Sequence, residues 1–252
     1  SDRAGQIKVV ENFITQGVDG IALAPLDDKA LVRPVNEAKN AGIKVAVWDS
    51  GLDDSVGDAV ISSVMTNNFA AGQDCGKRLA MLMNGSGKVL MLRHAVNHDS
   101  TTKREEGFLD GIKKAAPGIE LLSIDQRGGV SIDEAMKVSE SLLNQFGDQV
   151  GGVFTPNEST TQGMLRALDQ AGLAGKFPFV GFDTNEALLQ GLKDKKVSAL
   201  AVQDPFQMGY TAVRNIFNSI QQKPFEANVD TGAVLLDLEN LDTEEVQKII
   251  NP

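Results

Sequence analysis

Residues 177–189 read FPFVGFDTNEALL. An apolar run, FPFVGF, ends on Asp183, and a helical pattern comes next with Thr184 or Asn185 placed to cap it. An apolar run without polar alternation suits a strand covered on both faces, so the stretch reads as one β–α step. Asp183 is left over, because the helix has a cap without it.

The same step recurs on both sides. Apolar runs occur in GIALAPL, IKVAVWD, AVISSVMT, KVLMLRH, IELLSID, VGGVFTPN, FPFVGFD, VSALAVQD and GAVLLDL. Helical patterns lie between them, among them DKALVRPVNEAKNAG, STTKREEGFLDGIKKAAPG, SIDEAMKVSESLLNQFG, STTQGMLRALDQAGLAG and PFQMGYTAVRNIFNSIQQ. Several of these stop at Gly, a common helix terminator. Repeated β–α alternation predicts an α/β protein with parallel sheets and helices on both faces. The candidate strands suit one sheet or two, and composition alone marks no domain boundary.

The chain has 252 residues, 42% hydrophobic and 23% charged, with a formal net charge of −10. That charge disfavours nucleic acid and anionic membrane as partners. The lone cysteine, Cys75, excludes an internal disulfide and a cysteine-based metal cage, and its helical surroundings predict a small buried side chain. No run approaches the ~18 apolar residues of a membrane span.

Neither a cofactor nor a metal is expected. No GxGxxG follows a strand, and no GxSxG elbow is present. NGSGKV resembles part of a phosphate loop but has Leu82 where Gly is required and Val89 where Ser or Thr is required. His94 and His98 lack an evident third ligand. Ser100 reads as the cap of the helix STTKREEGF.

In open parallel sheets, ligands bind beyond the carboxyl ends of the strands. The runs here end on Asp49, on Arg93 and His94, on Asn157, on Asp183, and on Gln203 with Asp204, while Arg104 opens the helix after KVLMLRH. Turn and cap duty accounts for any one of these about as well as ligand binding does. Their recurrence on five strands favours a polar ligand. Carboxylates accept hydroxyl hydrogens, amides do both, and Arg donates in a fork, so Asp49, Arg104, Asn157, Asp183 and Gln203 suit a monosaccharide or similar polyol. Phe182 offers either a ring face to a sugar or ordinary core packing.

The segments QGVDGIALAP, AGIKVAVWDSGLD, STTKREEGFLDGI, GGVFTPNESTTQGMLRALDQAGLAGKFPFVGFD and VQDPFQMGYTAV, in this order, give the chain a resemblance to a known family. It resembles the ribose-binding-like, type I periplasmic substrate-binding proteins of bacterial ABC sugar importers. The resemblance implies two Rossmann-like lobes joined by a three-segment hinge, 1–66 with 204–232 and 67–203 with 233–252. It implies sugar binding by Asp49, Arg104, Asn157, Asp183 and Gln203, with Phe182 touching the ligand. It also implies a non-catalytic monomer that delivers its sugar to a membrane permease from an extracytoplasmic location, free or lipid-anchored. Ser50 and Ala24 depart from residues usual in ribose binders. The first lobe is expected to lack the family's opening strand–helix–strand unit, leaving GIALAPL at a sheet edge. The effector core of a LacI-type repressor is the alternative, with a sugar-acting enzyme behind it.

Overall fold

The computed structural model describes residues 3–251. The elements in order are α1 (Arg3–Gln16), β1 (Gly20–Leu23), α2 (Val32–Asn40), β2 (Lys44–Trp48), β3 (Val60–Met65), α3 (Asn68–Leu82), β4 (Lys88–Met91) and α4 (Asp99–Ala115). They continue with β5 (Glu120–Ser123), α5 (Ile132–Phe146), β6 (Gly152–Phe154), α6 (Glu158–Gln170), β7 (Phe179–Phe182), α7 (Glu186–Lys193) and β8 (Ala199–Val202). The last four are α8 (Pro205–Ile220), β9 (Asn228–Asp230), β10 (Val234–Leu236) and α9 (Glu244–Ile250). All nine expected runs contain strands. β9 was not expected, because Asn-Val-Asp is too short and too polar to read as an apolar run.

The chain divides into two compact units. The first comprises Ser1–Asn67, Asn97–Ser100 and Asp204–Gly232. The second comprises Asn68–Val96, Thr101–Gln203 and Ala233–Pro252. Asn97–Ser100, expected in the second lobe, groups with the first because the Asp28 N–H donates to Asn97 O (3.0 Å) and the Gly51 N–H to Asp99 Oδ2 (3.3 Å). Ser100 is not the cap of α4, which already begins at Asp99; the Ser100 N–H donates to Ser50 Oγ at 3.3 Å.

The first unit holds a parallel sheet ordered β1-β2-β3-β9. β1 stands at its edge. One core joins Val10 of α1 and Val35 and Ala38 of α2 to Ile21, Leu23 and Val45 of the sheet. A second joins Ala46 and Val64 to Met208, Ala212 and Ile216 of α8.

The second unit's sheet is ordered β10-β8-β7-β6-β4-β5, parallel except for β10 against β8. Alternate residues of each strand serve opposite faces. Leu90 and Leu200 enter a core with Ala135, Leu142, Met164 and Leu168 of α5 and α6. Val89, Met91, Ala199 and Ala201 enter the other, with Cys75, Leu79, Phe108 and Ile112 of α3 and α4. Burial on both faces explains the unbroken apolar runs. Burial also pushes the Cys75 thiol up to about 12.

In this second core, α3 and α4 meet backbone to backbone. A Cβ added to Gly72 would collide with the Arg104 carbonyl, one on Gly107 with the Phe69 carbonyl and one on Gly111 with the Gln73 carbonyl. At Gly76 it would lie 2.6 Å from Phe108 O. Two glycines four residues apart on each helix thus set the separation, as small residues do wherever helices approach closely.

Candidate functional site

In the second unit, β4 lies between β5, the next strand in sequence, and β6. Strand order reverses there, and the carboxyl edge at such a point is where open parallel sheets take ligands. Arg104 stands at this edge, on the second turn of α4, and is 2% exposed. Its Nε donates to Asn68 Oδ1 (2.8 Å) and its Nη1 to Pro156 O (3.1 Å). Nη1 also lies 3.7 Å from Asp183 Oδ2, and the guanidinium carbon sits 3.9 Å from the centre of the Phe182 ring. Stacking of this kind contributes about 0.5–2 kcal/mol and fixes the plane of the fork.

Asp183 stands just past β7 in the left-handed region, with φ of 64°. Asp is among the few side chains that tolerate this turn. Its own N–H donates to Ala201 O at 2.7 Å, anchoring it to β8. Its carboxylate accepts from Gln203 Nε2 (2.7 Å) and from the Glu158 N–H at the start of α6 (3.1 Å). Asn185 caps α7 by accepting from the Leu188 N–H, so Asp183 is not needed as the cap of the helix that follows it. Gln203 is 9% exposed, and its Oε1 is buried without a hydrogen-bond partner. The Thr161 hydroxyl ties α6 to this edge, lying 3.2 Å from both Phe182 N and Phe182 O.

Arg104, Asp183 and Gln203 are therefore brought together. Phe182 lies beneath them but is 0% exposed, within the core shared with Phe108 and Phe154. The ring is covered by core on one side and by the Arg104 guanidinium on the other. Asn157 lies in the loop after β6, next to Pro156, yet its side chain is turned into a capping box with Thr160, its Oδ1 accepting from the Thr160 N–H (3.4 Å) and from Thr160 Oγ1 (2.6 Å), while its Nδ2 donates to Ser159 Oγ (3.1 Å). Asp204 is likewise a cap, accepting from the Gln207 N–H at 2.8 Å.

Asp49 belongs to the first unit, one residue past β2. Its φ is 65° and its N–H donates to Val64 O of the neighbouring strand at 3.1 Å. Asn68, buried against Arg104, is a site residue that the sequence pattern did not single out. The strand-end rule points to it, since Thr66-Asn67-Asn68 comes directly after the run AVISSVM. Among the described residues no cluster of three or more His, Cys, Asp or Glu side chains is arranged to hold a metal ion. No helix among them is long and apolar enough to cross a membrane.

Known proteins share this architecture. A family model described as a periplasmic binding protein domain matches residues 1–224. The D-ribose/D-allose-binding protein of Pseudomonas aeruginosa is 32% identical over 81% of this chain, and the xylitol-binding protein of Mycolicibacterium smegmatis is 28% identical over 81%. The chain spans 63% and 57% of the lengths of these two relatives. An ABC transporter solute-binding protein from Agrobacterium vitis, solved with D-fucose bound, superposes with a TM-score of 0.94 at 31% identity, covering 99% of this chain and 85% of that one. A carbohydrate transporter solute-binding protein from Agrobacterium radiobacter, solved with D-arabinose, gives 0.92 at 30% identity, covering 99% and 84%. With a family model matched over most of its length and the same fold found in both solved structures, this chain belongs to the periplasmic binding protein domain family.

Proposed function

We propose that the chain binds a monosaccharide or similar polyol and presents it to the permease of an ABC importer outside the cytoplasm, without chemical turnover. The observation that carries this is the cluster of Arg104, Asp183, Gln203 and Asn68, with the Gln203 Oε1 buried and unpartnered. A buried acceptor without a donor costs about 1–3 kcal/mol, and a ligand hydroxyl relieves that cost. The Asp183 carboxylate accepts further hydroxyls, and the guanidinium is already oriented to donate. Asp49, at the matching strand end of the first unit, is the second carboxylate proposed to act on the ligand, and Asn157 is proposed to contribute once its cap partners rearrange. The relatives with bound D-fucose and D-arabinose support a sugar of this size.

Titration calorimetry with a panel of pentoses, hexoses and polyols tests the reading. At least one sugar is expected to bind, with no product formed. Arg104→Ala and Asp183→Ala are each expected to weaken it by about 2–5 kcal/mol, the cost of leaving a buried charged partner unpaired. Asp49→Ala is expected to weaken it as well. Neutral behaviour of Arg104→Ala or Asp183→Ala would overturn the assignment.

A further inference from the structure

Next to Arg104 in the chain is a second buried charge that the site does not use. Glu105 is 0% exposed. Its Oε1 accepts from the His94 N–H (2.8 Å), and its Oε2 accepts from Arg93 Nη1 (2.8 Å). Arg93 is itself a hub. Its Nε donates to Ile124 O, its N–H donates to Gln126 O (2.9 Å), and its carbonyl accepts from the Gly128 N–H (2.8 Å). Arg127 closes the cluster by donating from Nη1 to His94 O (3.4 Å) and Ala95 O (3.3 Å). One carboxylate thus joins α4 to the end of β4 and to the loop after β5.

Successive helical residues project about 100° apart, so Arg104 and Glu105 face different neighbours. Arg104 faces Asn68, Pro156 and Phe182; Glu105 faces the Arg93–His94 turn. Thr101, four residues before Glu105 and on the same face, adds a second tie, with its Oγ1 3.5 Å from His94 Nδ1. The glycine contact with α3 sets how far α4 stands from its neighbour. It also limits which face of α4 can turn toward α3, and a buried ion pair on the flanking face adds a second, finer constraint on the rotation that sets where the Arg104 side chain points.

We infer that Glu105 is a positioning residue for Arg104, holding the rotation of α4 at which the guanidinium meets Asn68, Asp183 and the Phe182 ring. The inference rests on the reading of Arg104 as a ligand-binding group. Keeping a carboxylate fully buried is costly unless it is paired and hydrogen-bonded, and Glu105 is both. Burial pushes its carboxyl above the usual range, against the opposing pull of the His94 N–H and Arg93.

The test compares Glu105→Gln, which keeps shape and an acceptor but removes the charge, with Glu105→Ala and with Glu106→Gln, an exposed neighbour. Two readouts are taken well below the unfolding temperature. The first is the Arg104 Nε–H signal in nitrogen-15 spectra of the ligand-free protein, assigned by its loss in Arg104→Lys. Glu105→Gln is expected to shift that signal and speed its exchange with water, while Glu106→Gln leaves it in place. The second is affinity for D-fucose and D-arabinose as probes, expected to fall about tenfold in Glu105→Gln, within the usual range for coupled neighbours. An Arg104 signal identical in the parent and both Glu105 variants would overturn the inference. A signal that responds to Glu105→Gln in a protein that binds no sugar of the panel would sustain the positioning role and defeat the proposed function instead.

Discussion

Asp49 in the first unit and Asp183 in the second occupy matching places. Each stands one residue beyond a parallel strand, each has φ near 65°, and each donates its N–H to a carbonyl of the adjoining strand. Two sheets of different size, four strands and six, have arrived at the same left-handed aspartate. Beyond that turn the two units diverge. Asp183 leads straight to a capped helix and receives Gln203 and the Glu158 amide. Asp49 leads into a loop and a short 3-10 helix at Asp54–Ala59. The shared part is the turn, which aims a carboxylate outward from the strand end. The surroundings are particular to each unit.

The helices over the two sheets differ as well. In the second unit α3 and α4 touch through glycines, while in the first α8 lies on β1, β2 and β3 and leaves Phe206, Tyr210, Val213 and Phe217 each more than half exposed. This contrast sets the largest expected effects. Gly107→Ala and Gly72→Ala place a methyl against backbone carbonyls that cannot move aside without separating the helices. Each is expected to cost about 3 kcal/mol, the upper part of the range for overpacking. Gly20→Ala in the first unit meets chiefly the γ-methyl of the buried Ile216 side chain, with backbone farther off, and a smaller cost of about 1 kcal/mol is expected. Urea unfolding midpoints rank the three. Equal costs would show that side-chain and backbone obstacles yield alike in these two units.

Next in size are the aspartates themselves. Asp183→Ala forfeits the left-handed turn's tolerance and strips partners from Gln203 Nε2 and the Glu158 amide, for about 2 kcal/mol of stability. Asp49→Ala is expected to cost about 1 kcal/mol through the turn. Asn at either position keeps the turn. If Asp49→Asn and Asp49→Ala unfold at the same denaturant concentration, the shared geometry is not what holds Asp49 in place.

The sequence carried most of the sheet plan, because strands buried on both faces leave unbroken apolar runs. β9 escaped because three residues with exposed ends leave no such mark. The strand-end rule led to Arg104, Asp183 and Gln203. It did not separate Asp183, whose carboxylate meets Gln203 and Arg104 as well as the first N–H of α6, from Asp204, whose carboxylate caps its own helix α8. That distinction depends on which N–H groups lie nearby in space. Phe182 was legible as an aromatic beside the site but not as a ring already covered, since the group that covers it sits on α4, far away in the sequence. The glycine contact between α3 and α4 was invisible for a related reason: a pair of glycines four apart means close packing only when the facing helix carries its own pair.

Asp27, in the loop after β1, extends the comparison to a carboxylate held by backbone amides and an arginine, and pH separates it from Glu105. Asp27 accepts from the Lys29 N–H (3.0 Å) and the Ala30 N–H (2.7 Å) and pairs with Arg3 at 2.7 Å. Burial works to raise its carboxyl, but the Ala30 and Lys29 amides, the Arg3 charge and Asn97 outweigh burial and hold it below the usual range. A folded-state value below the unfolded one, about 3.9 for Asp, stabilises the protein above that pH and loses the effect as pH falls through the folded value. Glu105 has the opposite sign: burial raises it, so its contribution is present below the unfolded value of about 4.3 and is lost as pH rises through the folded one. Unfolding midpoints measured from about pH 3 to pH 7 for Asp27→Asn and Glu105→Gln against the parent therefore separate the two carboxylates. The deficit of Asp27→Asn is expected to grow with rising pH and level off, whereas that of Glu105→Gln shrinks over the same range. Parallel curves would mean that Glu105 is held by its Arg93 and His94 partners as firmly as Asp27 is by its amides, with burial no longer the dominant influence on its charge.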